Sequence, residues 1–307
     1  MRTRFGLRPA LTVLFVGAGA FFLGAAIIQQ GSQLKSFEWS IEPLRLLLSV
    51  LILICVLAAN VVVWGYALRQ LDQQLKFSAL ARIWFLSNLA RYMPGKIWQF
   101  VGIAELGRSL GVPVLAGVTS IVVYMGYVLL AAWFVGIYLL PPELLGRLSD
   151  FASIARILTP ASLVLLHPRI LASAVRLVAR ITRQECAPWQ GGWGASVVLF
   201  AAGIVLWLAF GAAFFLFIGS LTFVTLSQYP ALTAIFALAF VAGYVIVVAP
   251  AGLGAKEGFM AALLSSILPL SVAAAVAVAS RVWSMAAELA PALAFAFARR
   301  AGDSSHD

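Results

Sequence analysis

NLARYMPGKIWQFVGIAELGR, residues 88–108, places Arg91, Lys96, Glu105 and Arg108 in an otherwise apolar run and breaks that run at Pro94-Gly95. Proline removes a backbone donor and glycine permits a sharp reversal, so the stretch predicts a helix from Ser78 that ends near Met93 and a new one that begins at Lys96. A second break of this kind stands at VVAPAGLGAKEGF, residues 247–259, where Pro250, Gly252 and Gly254 precede Lys256 and Glu257. One break lies in each half of the chain, flanked by hydrophobic sequence. Paired discontinuous helices of this sort are expected in transporters built from internal repeats.

Composition sets the solvent. Hydrophobic residues make up 63% of the 307-residue chain and charged residues only 10%, with a mean hydropathy of +1.02. A soluble domain carries about a quarter charged residues, so this composition belongs to an integral membrane protein. The net charge of +10 does not point to nucleic acid, because the basic residues are scattered at the ends of apolar segments and form no stripe. Two cysteines, Cys55 mid-span and Cys186 in a loop, make no disulfide framework, and His167 and His306 make no metal cluster. No metal, cofactor or catalytic constellation is expected.

Read in order, the chain predicts a first span over Pro9–Leu34, a second over Leu46–Leu68, the broken segment Ser78–Arg108 and a long span over Val112–Leu140. The second half predicts a crossing over Phe151–Leu171, interrupted by Arg156, Pro160, His167 and Pro168. The basic run Arg169, Arg176, Arg180 and Arg183 follows, and it suits either a short helix on an anionic membrane surface or a solvated linker. From Cys186 to Ala255 there is no Asp, Glu, Lys or Arg. That length holds a crossing over Trp193–Ile218 and a descending helix over Ala231–Ala249. After the second break, Phe259–Leu268 is too short to cross, and Ser271–Ala298 is the last span before a disordered tail, 301–307. Trp39, Trp64, Trp84, Trp133, Trp189 and Trp193 fall near span ends, where interfacial anchors are expected. Trp98 and Trp283 each lie close to a charge at membrane depth.

Three net crossings per half follow, whether each broken segment is re-entrant or a short hairpin of two spans. One side of the membrane then receives Arg2, Arg4, Arg8, Arg69, Lys76, Arg82, Arg108, Arg169, Arg176, Arg180, Arg183, Arg299 and Arg300. The other receives Lys35, Arg45, Arg147 and Arg156. The positive-inside rule puts the richer side, and with it both termini, in the cytoplasm. Because three is odd, the second half is inverted relative to the first. The fold expected is an all-α polytopic integral membrane protein made of two inverted repeats, 1–150 and 151–300, in a single membrane domain.

Seven ionisable residues remain at or near membrane depth: Arg91, Lys96, Glu105, Lys256, Glu257, Arg281 and Glu288. Each costs roughly 2.5–3.5 kcal/mol at a helix centre unless it is paired or faces water. Mutual neutralisation is one reading: Arg281 and Glu288 lie seven apart on one helical face, and Glu105 is within reach of Arg108. For Lys96 and Lys256 a binding role is favoured, since each opens a half-helix whose free N–H groups and positive dipole end attract an anion. Pro94, Gly95, Gly252 and Gly254 would shape the two turns.

ARYMPGKIWQF (90–100) with ELGRSLGVP (105–113), then APAGLGAKEG (249–258) with SRVWSMAAEL (280–289), resemble the lysylphosphatidylglycerol synthase transmembrane-region family, which includes the flippase half of the multiple peptide resistance factor. Lys256 stands where that family mostly carries Arg, which keeps the charge but not the bidentate fork. No soluble aminoacyl-transferase domain follows within these residues, so lipid aminoacylation is not implied. What the resemblance implies is a flippase-like translocase in a bacterial-type cytoplasmic membrane. Its substrate would be an anionic or aminoacylated phospholipid, and a separate lipid-modifying enzyme is a possible partner. The residues themselves leave two alternatives open: a membrane enzyme using an intramembrane Glu as base, and an accessory subunit that transports nothing.

Overall fold

The structure, a computed structural model, describes residues 37, 39–90, 98–142, 144, 149–182, 188–245 and 254–303. The described residues form helices and connections and contain no strand. In the first half α1 is Pro43–Arg69, α2 Phe77–Ala90, α3 Trp98–Arg108 and α4 Val114–Leu139. In the second, α5 is Ser149–Leu158, a 3-10 helix runs Thr159–Leu166, and α6 is Pro168–Thr182. There follow α7 (Trp193–Gly219), α8 (Tyr229–Val245), α9 (Ala255–Leu264) and α10 (Leu270–Asp303).

Among the described residues five helices are long and apolar enough to cross a bilayer: α1, α4, α7, α8 with its preceding 3-10 turn, and α10. Leu44, Leu47 and Leu51 on α1 and Val197, Val198 and Val205 on α7 are exposed. Apolar stripes on this scale suit lipid and would be a liability in water. The protein is therefore a multi-pass α-helical membrane protein. The expected first span, Pro9–Leu34, lies outside the described residues.

Helix ends follow the local chemistry. Pro43 supplies the fixed φ of a first helical turn, and Arg69 sits in the last turn of α1, where the dipole favours a cation. α4 stops just before Pro141-Pro142. Its last carbonyls are taken by Arg156 of α5, whose Nε and Nη2 donate to Ile137 O at 3.0 Å and Leu140 O at 2.5 Å. α8 is entered through Thr225, whose N–H donates to Gln228 Oε1 at 2.9 Å. α10 stays helical to Asp303, past Arg299-Arg300.

The segment 151–171, expected as an interrupted crossing, is bent. It divides into α5, the 3-10 helix and α6, and the axis turns by 61° between Ser153–Val164 and Pro168–Leu177. Pro160 and Pro168 each withdraw a backbone donor, and the tighter 3-10 turn and the bend answer that loss. Three tryptophans assigned to the interface are core residues instead. Trp64, Trp84 and Trp189 are buried, and Trp64 Nε1 donates to Ser120 Oγ across α1 and α4 at 3.0 Å. Trp39 and Trp193 remain exposed, as anchors are.

α1 and α7 form an antiparallel seam. Ahead of α1, Ser40 N and Glu42 N donate to Leu221 O (3.0 Å) and Ser220 O (2.9 Å) just past the end of α7. Ahead of α7, Gln190 N donates to Gln70 O, just past the end of α1, at 2.9 Å. Around this seam α1 also packs on α2, α4 and α10, and α7 on α4, α8 and α10. α4 packs on α3 and α8, α10 on α2 and α9, and the short helices pack on their predecessors, α3 on α2 and α9 on α8. Hydrogen bonds at membrane depth cross between these helices: Tyr127 OH of α4 to Ser196 Oγ of α7 (2.8 Å), and Trp283 Nε1 of α10 to Ser49 Oγ of α1 (3.1 Å).

Candidate functional site

α9 has ten residues and α3 eleven, about 15 Å of helix each, so neither crosses alone. α9 starts at Gly254, whose φ of +82° lies in the left-handed region that side chains disfavour. A glycine takes this backbone without the strain a side chain would bring. Lys256 and Glu257, two and three residues further on, bring charge to the start of the helix.

Glu257 is only 5% exposed. Its Oε2 accepts the Gly254 N–H at 2.9 Å and its Oε1 meets Arg281 Nη1 of α10 at 2.5 Å. This changes two expectations. Arg281 pairs across to Glu257 on the adjacent helix, a partner that the seven-residue spacing to Glu288 did not suggest. The N-terminus of α9 is not open for a ligand, because its own third residue reaches back to the turn, a capping carboxylate that is tethered and already in place. Glu288, two turns further along α10, is also buried.

Lys256 points the other way. Its Nζ lies 4.9 Å from the centroid of the Phe236 ring on α8. Phe236 belongs to a packed aromatic group, 4.7 Å from Phe214 and 6.1 Å from Trp283 between ring centroids, and Trp283 in turn stacks on Phe217 at 4.9 Å. The backbone at Lys256 presses on α8 at Gly243, where an added Cβ would come within 2.9 Å of Lys256 Cβ. A cation over an aromatic face is held by roughly 0.5–2 kcal/mol, which helps to order the side chain.

α3 shows the same close approach to its partner. A Cβ at Gly102 would lie 2.9 Å from Ser87 Cβ of α2, and Gln99 Nε2 donates to Asn88 Oδ1 at 2.7 Å between the two helices. Glu105 is exposed on α3, and among the described residues it forms no ion pair with Arg108. Arg91, Pro94, Gly95, Lys96 and Gly252 lie outside the described residues. The sequence-assigned residues that the structure brings together are therefore Gly254, Lys256, Glu257 and Arg281. Phe236 and Gly243, which seat Lys256, were not singled out in the sequence, where one Phe and one Gly in an apolar helix carry no signal of their own. Among the described residues no group of His, Cys, Asp or Glu is placed to hold a metal ion.

Comparison with protein-family models and with characterised proteins finds no match for this chain.

Proposed function

We propose that the protein is a lipid translocase of the lysylphosphatidylglycerol synthase transmembrane-region type, moving an anionic or aminoacylated phospholipid between leaflets along a passage between its two broken helices. The observation that carries this reading is Lys256, a cation on a helix too short to span, packed on the Phe236 ring of a candidate spanning helix beside the Glu257–Arg281 pair. Ionisable groups so placed are costly and in membrane proteins usually mark a substrate or ion path. The motifs quoted above supply the substrate class. An aminoacylated substrate would come from a separate lipid-modifying enzyme.

The proposal includes two inverted repeats with re-entrant segments at α2–α3 and α8–α9, and both termini in the cytoplasm. Support comes from the neighbour relations. Exchanging α1 with α7, α2 with α8, α3 with α9 and α4 with α10 turns each helix pair named above into another pair named above. The α1–α7 seam maps onto itself, and its helices run antiparallel, as a two-fold axis in the membrane plane requires. The exchange extends to side chains: Tyr127 and Trp283 are each the fourteenth residue of their helices, and each donates to a buried serine near the start of the seam helix it touches.

In this mechanism a lipid phosphate enters beside α9 while its tails stay in hydrocarbon, and Lys256 leaves the Phe236 face to meet it. A charge-assisted hydrogen bond to the phosphate contributes about 1.5–3 kcal/mol. Lys96, with Arg91 nearby, would serve the corresponding position at the other break. The Glu257–Arg281 pair holds the turn and keeps the local charge low, so that an empty site does not trap anions, and Glu288 offers a partner for an amino head group. Reconstitution of the protein in liposomes with fluorescent phosphatidylglycerol tests the reading. Parental protein is expected to move the probe and Lys256→Ala to lose at least tenfold in rate with unchanged thermal stability; equal rates would remove Lys256 from the mechanism.

A further inference from the structure

The translocation path leaves α6 unused, yet α6 carries the densest positive charge among the described residues. At 100° per residue, Arg169, Arg176 and Arg180 fall within about 40° of one another around the helix, and all three are exposed. Next to this stripe stand Ile170 and Leu177, 41% and 58% exposed. The far side, with Leu171 and Val175, packs on the protein, where Val175 is buried. From Phe151 to Gln184 the sequence has no Asp or Glu. The position of the helix narrows the partner further. α6 leaves the preceding segment at 61°, and at the bend the His167 ring meets Trp193, the exposed first residue of α7, edge to face at 4.9 Å. A tryptophan at the end of a span marks the head-group level of a membrane. α6 therefore starts at that level and turns away from the direction of its predecessor.

We infer that α6 is an interfacial helix that binds the anionic phospholipid head groups of the leaflet it lies on, its arginines on the phosphates and Ile170 and Leu177 among the upper acyl chains. A cationic stripe beside an apolar one is what such a surface requires, and the helix itself carries no Asp or Glu to compete with the lipid phosphates. A solvated linker would not place two large aliphatic side chains in the open. Each arginine near an anionic surface adds about fivefold in affinity, so three give on the order of 100-fold.

Intact protein in neutral detergent is mixed with equal amounts of phosphatidylglycerol and phosphatidylcholine, and retained lipid is counted by native mass spectrometry. All variants carry Lys256→Ala, so that the proposed transport site does not contribute and the two readings fail separately. The protein is expected to retain phosphatidylglycerol preferentially. Arg169→Gln/Arg176→Gln/Arg180→Gln should lower that preference at least tenfold, and the triple Lys variant should keep most of it. Leu177→Glu, a single exposed change, should lower it severalfold even if the triple Gln variant fails to fold. No preference in the parental protein would point to an acidic protein as occupant and overturn the inference. So would an undiminished preference in the triple Gln variant or, where that variant does not fold, in Leu177→Glu.

Discussion

Removing both members of the Glu257–Arg281 pair should cost clearly less than the two single removals added together. Glu257 makes two charge-assisted contacts, to Arg281 Nη1 at 2.5 Å and to the Gly254 N–H at 2.9 Å. At about 1.5–3 kcal/mol each, Glu257→Ala is expected to lose about 3–5 kcal/mol, the range found for breaking buried ion pairs. Arg281→Ala leaves a carboxylate that is 6% exposed at its side chain with only a backbone donor, and its cost should be about 2–4 kcal/mol. The double variant removes both charges and should cost at least about 2 kcal/mol less than the sum of the singles. Unfolding in mixed micelles by added sodium dodecyl sulfate, followed by tryptophan fluorescence, gives all four free energies. Additivity within about 0.5 kcal/mol would show the two groups to be independent and would refute the pairing.

The turn and the close approach beside it give a second prediction. Gly254→Ala forces a side chain into φ +82° and should cost about 1–2 kcal/mol, while Gly243→Leu collides with Lys256 and should slow lipid movement more than it lowers stability, as transport in liposomes and unfolding in micelles would separate. Equal effects on both would assign Gly243 to packing alone. Topology gives the third: reporter fusions after Asp307 and within residues 141–150 should lie on opposite sides of the membrane. The same side for both would leave an even number of crossings between them and end the inverted-repeat reading.

The crossing helices were legible in the sequence because the bilayer imposes a length. α1, α4, α7 and α10 start and stop within a few residues of the apolar runs that announce them, at Pro43, Pro141 and Arg69. The bend before Pro168 was visible in the sequence only as Pro160 and Pro168 within an expected crossing, and nothing local gave its angle. At the site, Gly254 was readable because a left-handed turn needs glycine. The partner of Arg281 was not, because the choice between Glu257 and Glu288 depends on how α9 lies on α10, which spacing within one helix does not report. The tryptophans misled for a related reason: Trp64 and Trp84 sit at apolar segment ends like anchors, but their helices face α4 there, and Tyr124 packs edge to face on Trp84 at 5.3 Å.

The α1–α7 seam bears on how the chain is made. About 150 residues separate Pro43 from Trp193, so at 5–20 residues per second α1 spends roughly 8–30 s in the bilayer before its counterpart emerges from the ribosome. Ser49 waits longer still, since Trp283 belongs to the last helix. The first half therefore enters the membrane with its future contact face turned to lipid or to an insertion factor, and assembly begins only when the second half arrives. A truncation after Leu139 would be expected to insert and then be degraded, a fate set by the order of synthesis and not by the hydrophobicity of any one helix.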